Sequence, residues 1–293
     1  MKSFASFHPF VLFFYYVVII TITMFMMHPL ILLFSLIGSF IFFMALNPFK
    51  VVWRDSRFYL LVFILIAVTN PIFVHKGESI LFYLNDNPVT MEAIVYGFVI
   101  AAMLIAIIFW SKSYTDLMTS DKFIYLFGKT IPKLSLIISM ALRFIPIFKR
   151  QIQKVNQTQK TLGLYTSNSI TDRVLSGIRT FNSIITWSLE NSIQQSDAMK
   201  ARGYGLKGRT NFSLFKWYKR DVCTLLFIVI VFGLILFFNV QNMYAFHYYP
   251  VITGIQLDKS QIIQFITVFV LMILPTLIEL KENLQWKFLI SKI

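Results

Sequence analysis

The sequence predicts an all-α polytopic membrane protein, with about six transmembrane helices and a cytoplasmic helical coupling segment between the fourth and fifth. Three observations predict it. Apolar residues make up 57% of the 293-residue chain and charged residues only 14%, where a soluble domain carries about a quarter charged. Several apolar runs reach the roughly 18 residues that span a bilayer. Lys and Arg are shared very unequally among the loops that join those runs.

The runs fall at about 9–26, 28–46, 58–74, 91–110, 222–240 and 261–279. The first, from Pro9 to Met26, is too long for a signal peptide and has no small-residue cleavage site, so it is read as a retained span. The link at Met27-His28-Pro29 is short enough that the first pair could instead form one broken or re-entrant element. Asn70-Pro71 lies near the end of the third run, where a proline, lacking an amide donor, kinks or ends a helix.

Orientation follows from the basic residues. Segment 111–221 holds 18 of the 27, against six acidic ones. Lys2 precedes the first run, Lys50 and Arg54 separate the second and third, and Lys281, Lys287 and Lys292 follow the last. The opposite loops carry only Lys76, Glu78 and Asp86, and Asp258 and Lys259. Positive loops stay inside, so both termini and segment 111–221 are expected in the cytoplasm. The chain then divides into residues 1–110, 111–221 and 222–293. A net charge of +14 would point a soluble protein towards nucleic acid. Here it belongs to loops beside a lipid bilayer, and no nucleic-acid partner is expected.

What the runs lack argues against several function classes. Proton-coupled carriers and voltage sensors place ionisable groups at membrane depth. Here Glu92 and Glu279 stand only at the ends of runs. There is no His-Glu-x-x-His, Gly-x-Ser-x-Gly or phosphate-binding Gly-rich loop, so no catalytic residue, cofactor or ATP site is expected. Cys223 is the single cysteine, which rules out an internal disulfide or thiolate cluster. His75 alone makes no metal site. The 32 Phe and 13 Tyr fit lipid-facing bulk and interfacial anchoring better than a cofactor box.

Segment 111–221 reads as helices. Lys122–Phe127 and Leu134–Phe148 are apolar stretches punctuated by Pro132 and Pro146. A polar helix follows from about Phe148 to Leu162, then a turn over Gly163–Ser169. A long helix runs from about Thr171 to Arg202, with Ser169 or Thr171 as its N-cap and Asp172 at the positive end of its dipole. Lys200 and Arg202 suit the negative end, and Gly203 and Gly205 the exit. Val174, Ile178, Phe181, Ile185 and Leu189 recur at helical spacing and form one apolar face. The helix ends in Ala201-Arg202-Gly203, a single guanidinium between small residues. That geometry can push an Arg into a partner's groove to bind a carboxylate, or leave a solvated Arg to complement the dipole. Arg143, beside Phe144 and Pro146, reads either as an ion-pair or carbonyl-capping group at a helix crossing, or as a side chain snorkelling to a headgroup.

Three stretches together resemble the transmembrane T component of energy-coupling factor (ECF) vitamin and metal importers, the CbiQ/EcfT family. Asn70-Pro71-Ile72-Phe73 with His75 and Gly77 is similar to its Asn-Pro-Leu-Phe…His-x-Gly element. Ala141-Leu142-Arg143-Phe144-Ile145-Pro146 resembles its Leu-Arg-Phe-x-Pro element. Ala198 to Gly205 resembles its coupling motif Ala-Met-x-Ala-Arg-Gly-Tyr. The resemblance covers roughly residues 60–240. It implies a non-enzymatic scaffold in a bacterial cell membrane, binding a small membrane substrate-binding S component and two ABC-type ATPase subunits. Two helix tips, each with an Arg, dock in the ATPase grooves and pass on ATP-driven closure, and the S component selects the micronutrient. It also implies a coupling site at Ala201, Arg202 and Gly203, and a structural role in the coupling domain for Arg143 and Pro146. The matching first tip departs from the pattern Gln-x-Ala-Arg-Gly. It reads Gln159-Lys160-Thr161-Leu162-Gly163, with Leu162 in the Arg position. An asymmetric coupler is therefore expected, gripping with Arg202 at one tip and with Leu162 and Gly163 at the other. The alternative is a stand-alone secondary carrier or membrane-embedded enzyme.

Overall fold

Two His-Pro pairs open the fold. In each, proline presets the first helical residue and the histidine before it caps the turn. His8 Nδ1 accepts from the Phe10 amide at 3.2 Å, and His28 Nδ1 from the Leu30 amide at 3.3 Å. They start α1 (Pro9–Phe25) and α2 (Pro29–Leu46), which are two separate helices rather than one broken element. The computed structural model describes residues 4–84, 87–128, 131–164, 170–204, 206, 215–241, 246–254 and 259–290. After α2 come α3 (Phe49–Phe73), a hairpin of β1 (Ile80–Leu84) and β2 (Asn87–Thr90), α4 (Met91–Leu117) and α5 (Ser120–Gly128). They are followed by α6 (Pro132–Thr161), α7 (Ile170–Ala201), α8 (Lys219–Val240) and α9 (Lys259–Ile290). The chain forms two compact units, Met1–Phe123 with Phe215–Ile293, and Ile124–Leu214.

Among the described residues, α2, α3, α4, α8 and Gln261–Trp286 of α9 are long and apolar enough to cross a membrane. Helix α1 has 17 residues, at the lower limit for a span. Much of it packs against protein, with Val11, Leu12, Tyr15, Tyr16, Val18 and Ile19 all buried, while Phe10, Val17, Met24 and Phe25 stay exposed.

The first unit is built around α2 and α4, with α2 packed on α4 and α9, α3 on α4, and α1 on α4 and α8. Trp110 of α4 is fully buried against Tyr15, Tyr16 and Phe42. Its Nε1 donates to Ser35 Oγ at 3.1 Å, and Ser35 shares a 2.7 Å hydrogen bond with Thr23. Helices in lipid gain nothing from burying apolar surface against one another, so close approach and internal hydrogen bonds hold them. The α3–α4 contact uses both. Asn70 Nδ2 donates to the Ala93 carbonyl at 2.7 Å, and a Cβ on Gly97 would stand only 2.7 Å from the Ala67 carbonyl oxygen.

The acidic groups at the span ends serve as ties. Glu279 accepts from the Phe4 amide at 3.1 Å, and Asp221 accepts from the Tyr218 amide at 3.0 Å. Asp55 bridges Arg54 at 3.1 Å and Lys112 at 2.9 Å, and Glu92 accepts from the amide and hydroxyl of Ser79. Lys122, just past α4, donates to the carbonyls of Ala5 at 2.6 Å and Leu117 at 2.9 Å. Burial holds its ammonium pKa below the ordinary lysine value.

Several boundaries differ from the sequence reading. Helix α3 begins at Phe49 rather than near 58, and α4 and α9 run on to Leu117 and Ile290. Hydropathy marks only the apolar middle of a helix, and these ends are polar but helical. The loop between the third and fourth runs carries an antiparallel β1–β2 pair, which the sequence reading did not assign. Instead of an apolar stretch followed by a separate polar helix, one helix, α6, runs through Pro146. Thr171 lies inside α7, which starts at Ile170, so it is not the cap. Ser169, most of the 163–169 turn, and Gly205 lie outside the described residues.

In the second unit α6 and α7 form an antiparallel hairpin. Gln159 accepts from Ser176 at 2.8 Å and donates to Thr180 at 3.2 Å, while Thr180 donates to Asn156 at 3.0 Å. Further along, Phe148 meets Trp187 edge-on at 5.7 Å. The hairpin is thus closed by polar side chains over the half nearest Leu162, and the apolar face of α7 points outward. Val174, Ile178, Phe181, Ile185 and Leu189 are 41–63% exposed.

Gly97→Ala should separate α3 from α4, because its new methyl would meet a backbone carbonyl rather than a yielding side chain. The expected loss is about 1–3 kcal/mol, read as a lower thermal midpoint of the solubilised chain. Gly233→Ala on α8, with open space around its Cβ, should leave that midpoint unchanged or raise it slightly.

Candidate functional site

The two tips singled out in the sequence share one backbone design. At the end of α7 the Gly203 amide donates to the Lys200 carbonyl at 2.9 Å and the Tyr204 amide to Met199 at 3.0 Å. Gly203 adopts φ +79°. At the end of α6 the Gly163 amide donates to Lys160 at 3.1 Å and the Leu164 amide to Gln159 at 3.1 Å, with Gly163 at φ +68°. Both are glycine-terminated caps that satisfy the last carbonyls of a helix. Arg202 and Leu162 occupy the same cap position. Their amides reach back to Ala198 at 3.2 Å and Thr158 at 3.0 Å. Ala201 ends α7, just before the cap.

The cap residues face outward. Leu162 is 68% exposed, unusual for a leucine at a helix end, and Arg202 is exposed too. A Cβ on Gly163 would meet nothing within 4 Å among the described residues. Lys160 and Lys200 each precede their cap residue by two positions. Lys200 lies 3.9 Å from Asp197, with both side chains about 70% exposed, so the pair contributes little.

The two tips stand at opposite ends of the hairpin. Near the Arg202 end, a groove of about 400 Å³ lies between α6 and the end of α7. Leu136, Met140, Arg143 and Phe144 line it from one side, and Met199, Arg202 and Tyr204 from the other. Arg143 is exposed on this wall, with no ion-pair partner among the described residues. The groove therefore presents two guanidinium groups beside apolar side chains, with Ser139 and Gln195 also in its lining. From Arg143 to Leu162 the helix rises on the order of 30 Å, which sets the spacing of the two ends. Pro146 stays within α6, exposed, and its carbonyl accepts from Arg150 Nε at 3.4 Å.

The sequence reading brought Arg202, Gly203, Leu162 and Gly163 forward but treated Arg143 as a separate question. Only the fold shows that Arg143 and Arg202 share a groove. The sequence reading also missed Asn156, Ser176 and Thr180, which set the hairpin's register together with Gln159, a residue it had named only as part of the first tip. Their signal was present as polar residues three and four apart on both helices. Among the described residues, no three His, Cys, Asp or Glu side chains gather to hold a metal ion.

Residues 5–214, which include both tips, match the CbiQ family, described as cobalt transport protein. The chain belongs to the CbiQ family. A Listeria innocua energy-coupling factor transporter transmembrane protein EcfT is 30% identical over 185 residues, covering 59% of this chain and 69% of that one. EcfT of Staphylococcus aureus is 27% identical over 179 residues, covering 57% and 67%. EcfT of Lactobacillus helveticus is 30% identical over 116 residues, which are 39% of this chain and 42% of that protein. The CbiQ-family chain is thus a multi-pass membrane protein of the ECF transporter T-component type, as its three motifs imply.

If glycine is needed at the two caps for its positive φ, Gly163→Ala and Gly203→Ala should each loosen one tip by about 1 kcal/mol. Hydrogen exchange of the Leu164 and Tyr204 amides should then quicken about fivefold, each only in its own variant. Unchanged exchange would mean that the caps do not hold the tips.

Proposed function

We propose that this chain is the non-enzymatic coupling scaffold of an ATP-driven ECF-type micronutrient importer in a bacterial cell membrane. In this reading the first unit holds a small membrane S component, and the second unit lies in the cytoplasm with both termini. Two ABC-type ATPase subunits there receive the two ends of the α6–α7 hairpin. Hydrolysis belongs to those subunits, and the cargo to the S component.

One observation carries the reading. A single hairpin ends twice in the same glycine cap, each time thrusting one side chain outward. Such a strut can engage two similar sockets at once. Arg202 suits a socket lined by carboxylates, where a guanidinium can bond through two nitrogens. Leu162 suits an apolar socket, and Lys160 is no substitute because it sits two positions earlier. Arg143 lines the groove behind Arg202 and would position that end against its partner. The outward apolar stripe of α7 offers a further surface for an apolar partner. The T-component names of the relatives support the same assignment. The acidic groups at the span ends support it as well, since among the described residues they are engaged in local ties rather than aligned as a relay.

The test is co-purification and uptake. Arg202→Ala should weaken ATPase association by about thirtyfold or more, the scale of an interface hot spot, and ATP-driven uptake should fall with it. Leu162→Asp should release the other subunit contact while leaving the Arg202 end bound. Assembly and uptake unchanged in Arg202→Ala would sink the docking role. Uptake by the chain alone in proteoliposomes would favour the carrier.

A further inference from the structure

Helices α8 and α9 leave an open groove of about 430 Å³ on the first unit, lined by Cys223, Thr224, Phe227, Val270, Leu274 and Leu277, with Ile278 at its edge. Its walls are apolar except at one end, and no residue of the hairpin tips takes part. This inference does not rest on the coupling reading.

The end of the groove can be placed. Asp221 of α8 meets the His8 amide at 3.4 Å, and Glu279 of α9 meets the Phe4 amide at 3.1 Å. The start of α8 and the later part of α9 therefore lie together, beside the first residues of the chain. At that end the apolar wall gives way to lysine on both helices. Lys219 lies one turn before Cys223, and Lys281 one turn after Leu277, continuing the stripe Val270–Leu274–Leu277. Both lysines are exposed. Asp221 and Glu279, almost fully buried, face inward, and Glu282 falls about 100° round the helix from Lys281. Arg220 is already engaged with Ser6 at 2.9 Å and Asp221 at 3.7 Å.

The depth fits one leaflet. From Val270 to Lys281 the helix rises about 16 Å, close to half of a hydrocarbon core roughly 30 Å thick. Exposed Trp217, Tyr218 and Trp286 flank the lysines, as aromatic side chains do at headgroup level.

We propose that the α8–α9 groove binds one acyl chain of an anionic phospholipid, with the headgroup phosphate held by Lys219 and Lys281. A chain of methylene groups matches the apolar walls, and the phosphate supplies a negative charge for the two lysines at the mouth. A partner helix filling the groove to its mouth would strip water from two ammonium groups with no inward-facing acid free to compensate them.

Cys223, exposed and the chain's single cysteine, reports occupancy directly. The full chain is reconstituted in phosphatidylcholine vesicles with and without phosphatidylglycerol. Labelling of Cys223 by a membrane-permeant maleimide is timed, and lipids retained after solubilisation are counted by native mass spectrometry. Phosphatidylglycerol should slow labelling several-fold. It should also be retained over phosphatidylcholine by about thirtyfold, the preference that two lysines at a charged headgroup supply. Lys219→Gln with Lys281→Gln, both at exposed positions, should bring labelling and retention back to the phosphatidylcholine level. Equal labelling in both membranes would overturn the proposal, as would undiminished retention in the double variant. Protection of Cys223 that appears only when other transporter subunits are present would overturn it in favour of a partner helix.

Discussion

The hydrogen bonds between α6 and α7 decide what the second unit can be. Gln159 is shared between Ser176 and Thr180, and Thr180 also holds Asn156. Each bond contributes only about 1 kcal/mol net, but leaving one of these groups buried and unpaired costs more. The seam therefore fixes the register of the two helices. That register sets Arg143 opposite the end of α7 and leaves Leu162 at the far end. It also spares Val174, Ile178, Phe181, Ile185 and Leu189 from any internal core, so they remain on the surface.

The first unit follows the same rule. Water cannot satisfy polar groups in the middle of a bilayer, so Trp110, Ser35 and Thr23 satisfy one another. Asn70 does the same for the Ala93 carbonyl. The acidic residues stay at the ends and are spent on amides and cations. Hydrophobic packing alone would not specify which helix meets which, because lipid tails compete equally well. The small residues and these few polar ties supply that choice.

Much of this was legible in the sequence. Apolar runs located the five helices long enough to cross a membrane and the shorter α1, and the glycines after Leu162 and Arg202 located both tips. The expected long helix differs from α7 by one residue at each end. What hydropathy could not show was where a helix continues after its apolar stretch stops, as at Phe49–Arg57 or beyond Glu279. Pro146 argued for a break that α6 does not make, because tertiary context overrides a single missing hydrogen bond. Ile80–Leu84 has strand-forming residues before an Asn-Asp turn signal. Its short length hid it between two long helices. The pairing of Arg143 with the Arg202 groove depends on antiparallel register, which one-dimensional spacing does not contain.

The matched caps carry a consequence for how such a chain can change over time. At both ends the backbone turn is closed by amides, carbonyls and a glycine, and the cap side chain has no part in closing it. A replacement at position 162 or 202 therefore alters what the end can grip while sparing the fold that presents it. The two ends can diverge one codon at a time and independently, and an arginine at one end beside a leucine at the other is the kind of outcome such freedom permits.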